Sequence, residues 1–114
     1  MTGVQTCALP IWSSQASGFF TGRFSPEDRS SADVVRVYYS EANWERFRRA
    51  TELGNQKGFT ANQIALAYVL HQPYPTFPLF GPRSIEEMNS SLPALEVTLT
   101  PNEVRWLNLE SDPL

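Results

Sequence analysis

The stretch Ile64–Leu70, IALAYVL, constrains this chain more than any other. It follows Thr60 and Gln63, which have the spacing of a capping box, where each side chain satisfies the other residue's free backbone N–H at a helix start. Phe59 and Ile64 add a hydrophobic staple across that start. Gln72-Pro73 ends the helix, because a residue before proline is pushed out of the α region. A helix that is apolar all round has to be covered on most sides. Directly after it, Thr76–Phe80 reads as a strand, with Pro78 tolerable only near the strand end because proline cannot donate to a ladder. A second strand is expected to end near Trp12. One or two strands are not a sheet. The elements that cover the apolar helix and pair with the strand are expected in sequence beyond these residues. The chain therefore reads as part of a larger α/β domain, mostly helical with one or two strands.

Three further helices are legible. From Ser40, the residues Trp44, Phe47, Ala50 and Leu53 recur at a helical interval among charges, and Lys57-Gly58 supplies a stop. Ser84 and Glu87 repeat the capping-box spacing, and so do Thr100 and Glu103. The last of these starts has Pro101 at the first helical position and a Leu99–Val104 staple, with the helix running to about Leu109. By contrast, SSQASGFFTGRFSPEDRSSAD, from Ser13 to Asp33, has too little apolar periodicity for a regular element and reads as a long loop. Loops of that length inside a compact domain usually do something, such as covering a ligand. Residues 1–11 stand apart. They lack the basic start and long apolar core of a signal peptide, show no regular periodicity, and resemble the conceptual translation of a sequencing-library adapter. They are expected to be a non-native or disordered leader.

Charge narrows the partners. A formal net charge of −3 disfavours a general nucleic-acid or anionic-membrane surface. The basic cluster Arg46, Arg48 and Arg49 lies among Glu41, Glu45 and Glu52, which predicts a solvated helix face with intrahelical pairs. The single cysteine, Cys7, permits no internal disulfide and no thiolate metal site, which fits a reducing, cytoplasmic setting. No apolar run approaches the roughly 18 residues of a membrane span.

Gly81-Pro82-Arg83 sits where a strand feeds directly into a helix start. First-turn N–H groups without acceptors, the helix dipole and a planar guanidinium together suit an anion. The plainer alternative is a turn with Ser84 as an ordinary N-cap, Glu87 as its partner and Arg83 in solvent. Chemistry alone leaves both open, and Glu86 with Glu87 weakens the positive potential.

The order and spacing of WSSQASGFFTGR, FTANQIALAYVLHQP, FPLFGPRSIEEM and LEVTLTPNEVRWL resemble the aldo-keto reductases over nearly all of Trp12 to Leu109. The resemblance implies the C-terminal part of a barrel of eight parallel strands and eight helices, with the site at the C-terminal strand ends. It also implies NADP(H) and a small carbonyl substrate, an aldehyde or ketone. By resemblance, Trp12 stacks on the nicotinamide, and Ser13, Ser14, Gln15, Ala16 and Ser17 wrap the pyrophosphate, with Arg23 as a phosphate partner. Gly81, Arg83, Ser84, Glu87 and Ser91 take the adenosine 2′-phosphate and adenine. The chain departs from the family at Ser14 and Gln15, where proline and leucine are usual. It departs again at Ser90 and Ser91, where glutamate and asparagine are frequent, and at Glu87, where glutamine is.

The family's catalytic aspartate, tyrosine, lysine and histidine come from its first four strands, so this chain is expected to bind cofactor and to be inactive alone. Without a proton-donating tyrosine, hydride from the cofactor has no route to product. His71 is expected to meet a helix C-terminus, and Tyr38, Tyr39, Tyr68 and Tyr74 to pack. Two other readings remain. One is a non-enzymatic, NADPH-sensing regulatory member of the family, with the Ser31 to Tyr39 segment or the exposed arginines as partner contacts. The other is a small helical interaction module complete in itself.

Overall fold

The computed structural model describes residues 9–11 and 16–110. Two short strands, β1 (Leu9–Ile11) and β2 (Thr76–Pro78), pair in parallel with Leu9 opposite Thr76, Pro10 opposite Phe77 and Ile11 opposite Pro78. A parallel pair needs a long crossover between its strands. Here it is made by α1 (Ala32–Tyr38), α2 (Glu41–Lys57) and α3 (Ala61–Leu70). After β2 come α4 (Ile85–Ser91), a 3-10 turn (Leu92–Glu96) and α5 (Pro101–Leu107). The strand expected near Trp12 thus ends at Ile11, within the stretch set apart as a leader. The strand expected over Thr76–Phe80 stops at Pro78, whose missing N–H cannot extend the ladder.

The expected helix starts are in place. Ser40 accepts from the Asn43 N–H, and both arms of the box are made at Thr60–Gln63 and at Thr100–Glu103. The helix from Glu41 ends on Gly58, whose left-handed backbone (φ 84) lets its N–H return to the Gly54 carbonyl. The final helix ends at Leu107, two residues short of the expected Leu109, which itself has a positive φ of 65.

Two helical elements were not legible: a 3-10 turn over Ala16–Thr21, inside the expected long loop, and helix α1, which begins at the loop's last two residues and runs on to Tyr38. Neither carries a local start signal. Ser31 makes no side-chain cap, and Val34, Val35 and Val37 are poor helix formers. Packing holds them instead. Phe19, 1% exposed, sits among Ala16, Val34, Tyr38, Tyr39, Trp44 and Phe47, with its ring centroid 4.7 Å from that of Trp44.

The second cluster joins Ala50 and Leu53 of α2, Ile64 and Ala67 of α3, and Val97, Leu99, Trp106 and Leu107 from the C-terminal segment. The apolar stripe of α2 therefore serves two cores, Trp44 and Phe47 one and Ala50 and Leu53 the other. Gly54 permits the closest approach at this junction, since a Cβ there would run into the Phe59 carbonyl. The charged face of α2 pairs as expected, with Arg48 on Glu45 at 2.8 Å and on Glu52 at 2.7 Å. Arg49 differs from a solvated side chain. It lies 5.2 Å over the Trp106 ring and donates to the Trp106 carbonyl at 2.7 Å, besides pairing with Glu45. Lys57 bridges to buried Glu103 at 3.0 Å and ties α2 to the start of α5.

Coverage of α3 is partial. Ile64, Leu66 and Ala67 are buried, while Ala65, Tyr68 and Val69 line an apolar cavity of about 410 Å³. Around β2, Phe77, Leu79, Phe80 and Ile85 are exposed.

Candidate functional site

The segments that follow the two strands face each other across a cleft of about 670 Å³. One wall is the 3-10 turn. Ala16, Ser17 and Gly18 have φ values of 51, 53 and 87, three successive left-handed residues. At Gly18 the reason is space as well as conformation: a Cβ would stand 3.1 Å from Nη2 of Arg23, whose guanidinium folds back against the glycine. The same guanidinium lies 4.8 Å from the Phe24 ring centroid. Thr21 Oγ1 donates to the Gly18 carbonyl at 2.6 Å and closes the turn. Further on, the single O–H of Tyr39 is shared between the carbonyls of Ser25 and Asp28, at 2.9 and 2.5 Å, and so latches the segment that follows Arg23. Burial pushes the Tyr39 phenol above its ordinary value, and the nearby Asp28 carboxylate adds to the shift.

The other wall runs from Leu79 through the start of α4. Ser84 Oγ accepts the Glu87 N–H at 3.1 Å. The return arm of the expected box lands one residue early: the Glu87 carboxylate accepts the Arg83 N–H at 2.7 Å instead of that of Ser84. A backbone donor that an anion would need is therefore already bonded to a carboxylate. No atom would lie within 4 Å of a Cβ on Gly81, so that residue borders open space.

The floor comes from α3, where Asn62 lines the cleft and Gln63 Nε2 donates to the Ser90 carbonyl at 2.6 Å, joining α3 to α4. Of the residues singled out from sequence, the cleft brings together Ser17, Arg23, Gly81, Arg83, Glu87 and Ser91. Ala16 and Ser84 do not line it. Ala16 is turned into the aromatic cluster, and the Ser84 hydroxyl is used as a helix cap. Trp12, Ser13, Ser14 and Gln15 lie outside the described residues. Thr21 and Asn62 also line the cleft and were not anticipated. Asn62 sits inside a capping box, where its own role leaves no local trace.

Chemically the cleft offers two guanidinium groups on opposite walls, backbone close to open space, and hydroxyl and amide groups between them. Among its described lining residues there is no tyrosine, lysine or histidine. His71 is committed elsewhere. Its Nδ1 lies 2.7 Å from the Ala67 carbonyl and its Nε2 accepts the Leu99 N–H at 3.3 Å. Nδ1 must therefore carry the proton in this arrangement.

The sequence profile of the Aldo/keto reductase family matches residues 5–108. The chain belongs to the aldo/keto reductase family. Its relatives include oxidoreductase YrpG of Bacillus subtilis, 28% identical over 85% of this chain and 30% of that protein. Norsolorinic acid reductase stcV of Emericella nidulans is 39% identical over 49% of this chain and 14% of its own length. Versiconal hemiacetal acetate reductase of Aspergillus parasiticus is 29% identical over 70% of this chain and 23% of its own. The chain thus spans less than a third of the length of each of these relatives. Among the described residues, no helix is long and apolar enough to cross a membrane.

Proposed function

We propose that residues 12–114 are the C-terminal, cofactor-binding part of an NADPH-dependent oxidoreductase that reduces aldehydes or ketones to alcohols. The rest of its (β/α)8 barrel lies in other sequence, and β1 supplies the strand just before these residues. One observation carries the reading: the segments after two adjacent parallel strands, at their C-terminal ends, put Arg23 and Arg83 on opposite walls of a single cleft. In parallel-stranded barrels this end is where sites are built. Two guanidinium groups suit two phosphate-bearing regions of a dinucleotide, one at the pyrophosphate and one at the adenosine 2′-phosphate. Ser17 and the Gly18 backbone border the first. Gly81 leaves room at the second, where Ser91 and Glu87 also stand.

The partly covered α3 and the exposed apolar side chains around β2 support the fragment reading, because in a closed barrel both would be buried. The described groups of the cleft bind and orient; among them there is no tyrosine, lysine or histidine to protonate a carbonyl oxygen. Hydride would come from the bound nicotinamide, and the acid from the upstream strands. The chain alone is accordingly expected to be without turnover, and a cytoplasmic setting fits the cofactor. The test is to complete the reading frame, titrate the full-length protein with NADPH by fluorescence and follow NADPH oxidation with an aldehyde. A full-length protein that binds no nicotinamide cofactor overturns the reading.

A further inference from the structure

Nearly every polar side chain on the α3–α4 side of the cleft already has a protein partner. Gln63 uses both ends of its amide, on the Thr60 N–H and the Ser90 carbonyl. Ser90 Oγ donates to the Glu87 carbonyl at 2.8 Å, and Glu87 and Ser84 are occupied at the helix start. Ser91 is partnered too. Besides the Arg83 guanidinium, which the proposed phosphate would take, Asn62 is the exception. Its Oδ1 is buried and has no hydrogen-bond partner, a condition shared among the described residues only with Trp106 Nε1, which is not on the cleft. A buried acceptor left unpaired costs stability, and such groups in native proteins call for an explanation. Exchanging the amide O and N leaves the difficulty in place, because the amide then buries an N–H instead.

We infer that Asn62 is a specificity residue of the cleft, whose carboxamide oxygen accepts from a neutral donor on the adenosine end of the bound dinucleotide. This rests on the reading of the cleft as a dinucleotide site. The chemistry narrows the donor. Phosphate oxygens at neutral pH accept hydrogen bonds and cannot satisfy Oδ1, so they belong with Arg23 and Arg83. Adenosine carries two kinds of donor, the exocyclic amine of the base and the free ribose hydroxyl. Turning the carboxamide about its side-chain bonds moves the oxygen from the wall into the cleft, and the ligand supplies the bond that the protein withholds. The residue is thereby costly in the empty protein and useful in the filled one.

The experiment uses the full-length protein and its Asn62→Ala variant. Each is titrated with NADPH, with the hypoxanthine analogue that replaces the amine by a carbonyl, and with the 3′-deoxyadenosine analogue. Asn62→Ala should weaken NADPH binding by about five- to tenfold. The loss should vanish for whichever analogue lacks the donor that Oδ1 uses, which identifies the donor as amine or hydroxyl. The melting temperature of the empty variant should be no lower than that of the parent, since an unpaired buried oxygen has been removed. Unchanged NADPH affinity overturns the inference, and so does an equal loss for all three ligands, which would mark a merely structural role. Failure of the parent protein to bind any of the three would instead refute the dinucleotide reading itself.

Discussion

The two walls of the cleft carry the same kind of cation but are held by different forces. The Ala16–Arg23 wall has an unusual backbone, with three left-handed residues in succession, and it stays in place because Phe19 is locked among aromatic side chains from α1 and α2. The Gly81–Ser91 wall is an ordinary strand-to-helix turn kept mainly by bonds between near neighbours, Ser84 to Glu87, Glu87 to Arg83 and Ser90 to Glu87, with one longer tie from Gln63 to the Ser90 carbonyl. Its apolar side chains, Leu79, Phe80 and Ile85, are exposed. Strained turns persist where surroundings over-determine them. The first wall is therefore built by packing and the second by local hydrogen bonding, and substitutions should separate the two.

The largest effect is expected on the packed wall. Phe19→Ala in the full-length protein should cost about 3–5 kcal/mol in chemical unfolding and should also weaken NADPH binding, because the ring seats the turn. A loss below about 1 kcal/mol would break the distinction between the walls. Arg83→Ala should behave in the opposite way, leaving unfolding nearly unchanged while weakening NADPH by about tenfold or more, with much less effect on NADH. Equal loss for both cofactors would remove Arg83 from the 2′-phosphate.

A smaller change, of opposite sign, is expected from Glu87→Gln. The amide oxygen can still accept the Arg83 N–H, but the negative charge beside the proposed phosphate is gone. NADPH affinity should rise roughly two- to fivefold, an increase that added salt diminishes. The smallest effect concerns the Tyr39 latch. The folded phenol titrates above its ordinary value near 10, so its contribution is complete below that value and is lost as pH rises through the higher folded value. Tyr39→Phe should weaken NADPH less than about threefold at neutral pH and should flatten that alkaline loss in a pH series of thermal melts.

The same division decides what could be read from sequence. The second wall was legible because its determinants lie within a few residues of one another, and capping chemistry at Ser84, Thr60 and Thr100 set out the helix starts. Even there, one bond differed. Glu87 reaches the Arg83 N–H, a choice between adjacent donors that spacing cannot resolve. The first wall was opaque because Phe19 is buried against Trp44 and Phe47, more than twenty residues downstream, and a turn fixed by distant rings looks like polar loop in its own sequence. Arg49 escaped for a related reason: its charge partner Glu45 is local, but its stacking partner Trp106 is far along the chain. Asn62 left no local mark because what sets it apart is a bond the protein does not make.

His71 gives the cleft a mechanical boundary. By holding the Ala67 carbonyl with one nitrogen and the Leu99 N–H with the other, the ring ties the end of its own helix to a point 28 residues beyond His71. Everything between them, β2 and the whole second wall included, is a loop drawn shut at its neck, with Lys57 on the Thr98 carbonyl fastening the same point. Inside that neck the segment is fastened again, by the β1–β2 ladder and by Gln63 on the Ser90 carbonyl. The exchange rate of the Leu99 amide hydrogen would then time the opening of the neck, independently of anything that happens at the mouth of the cleft.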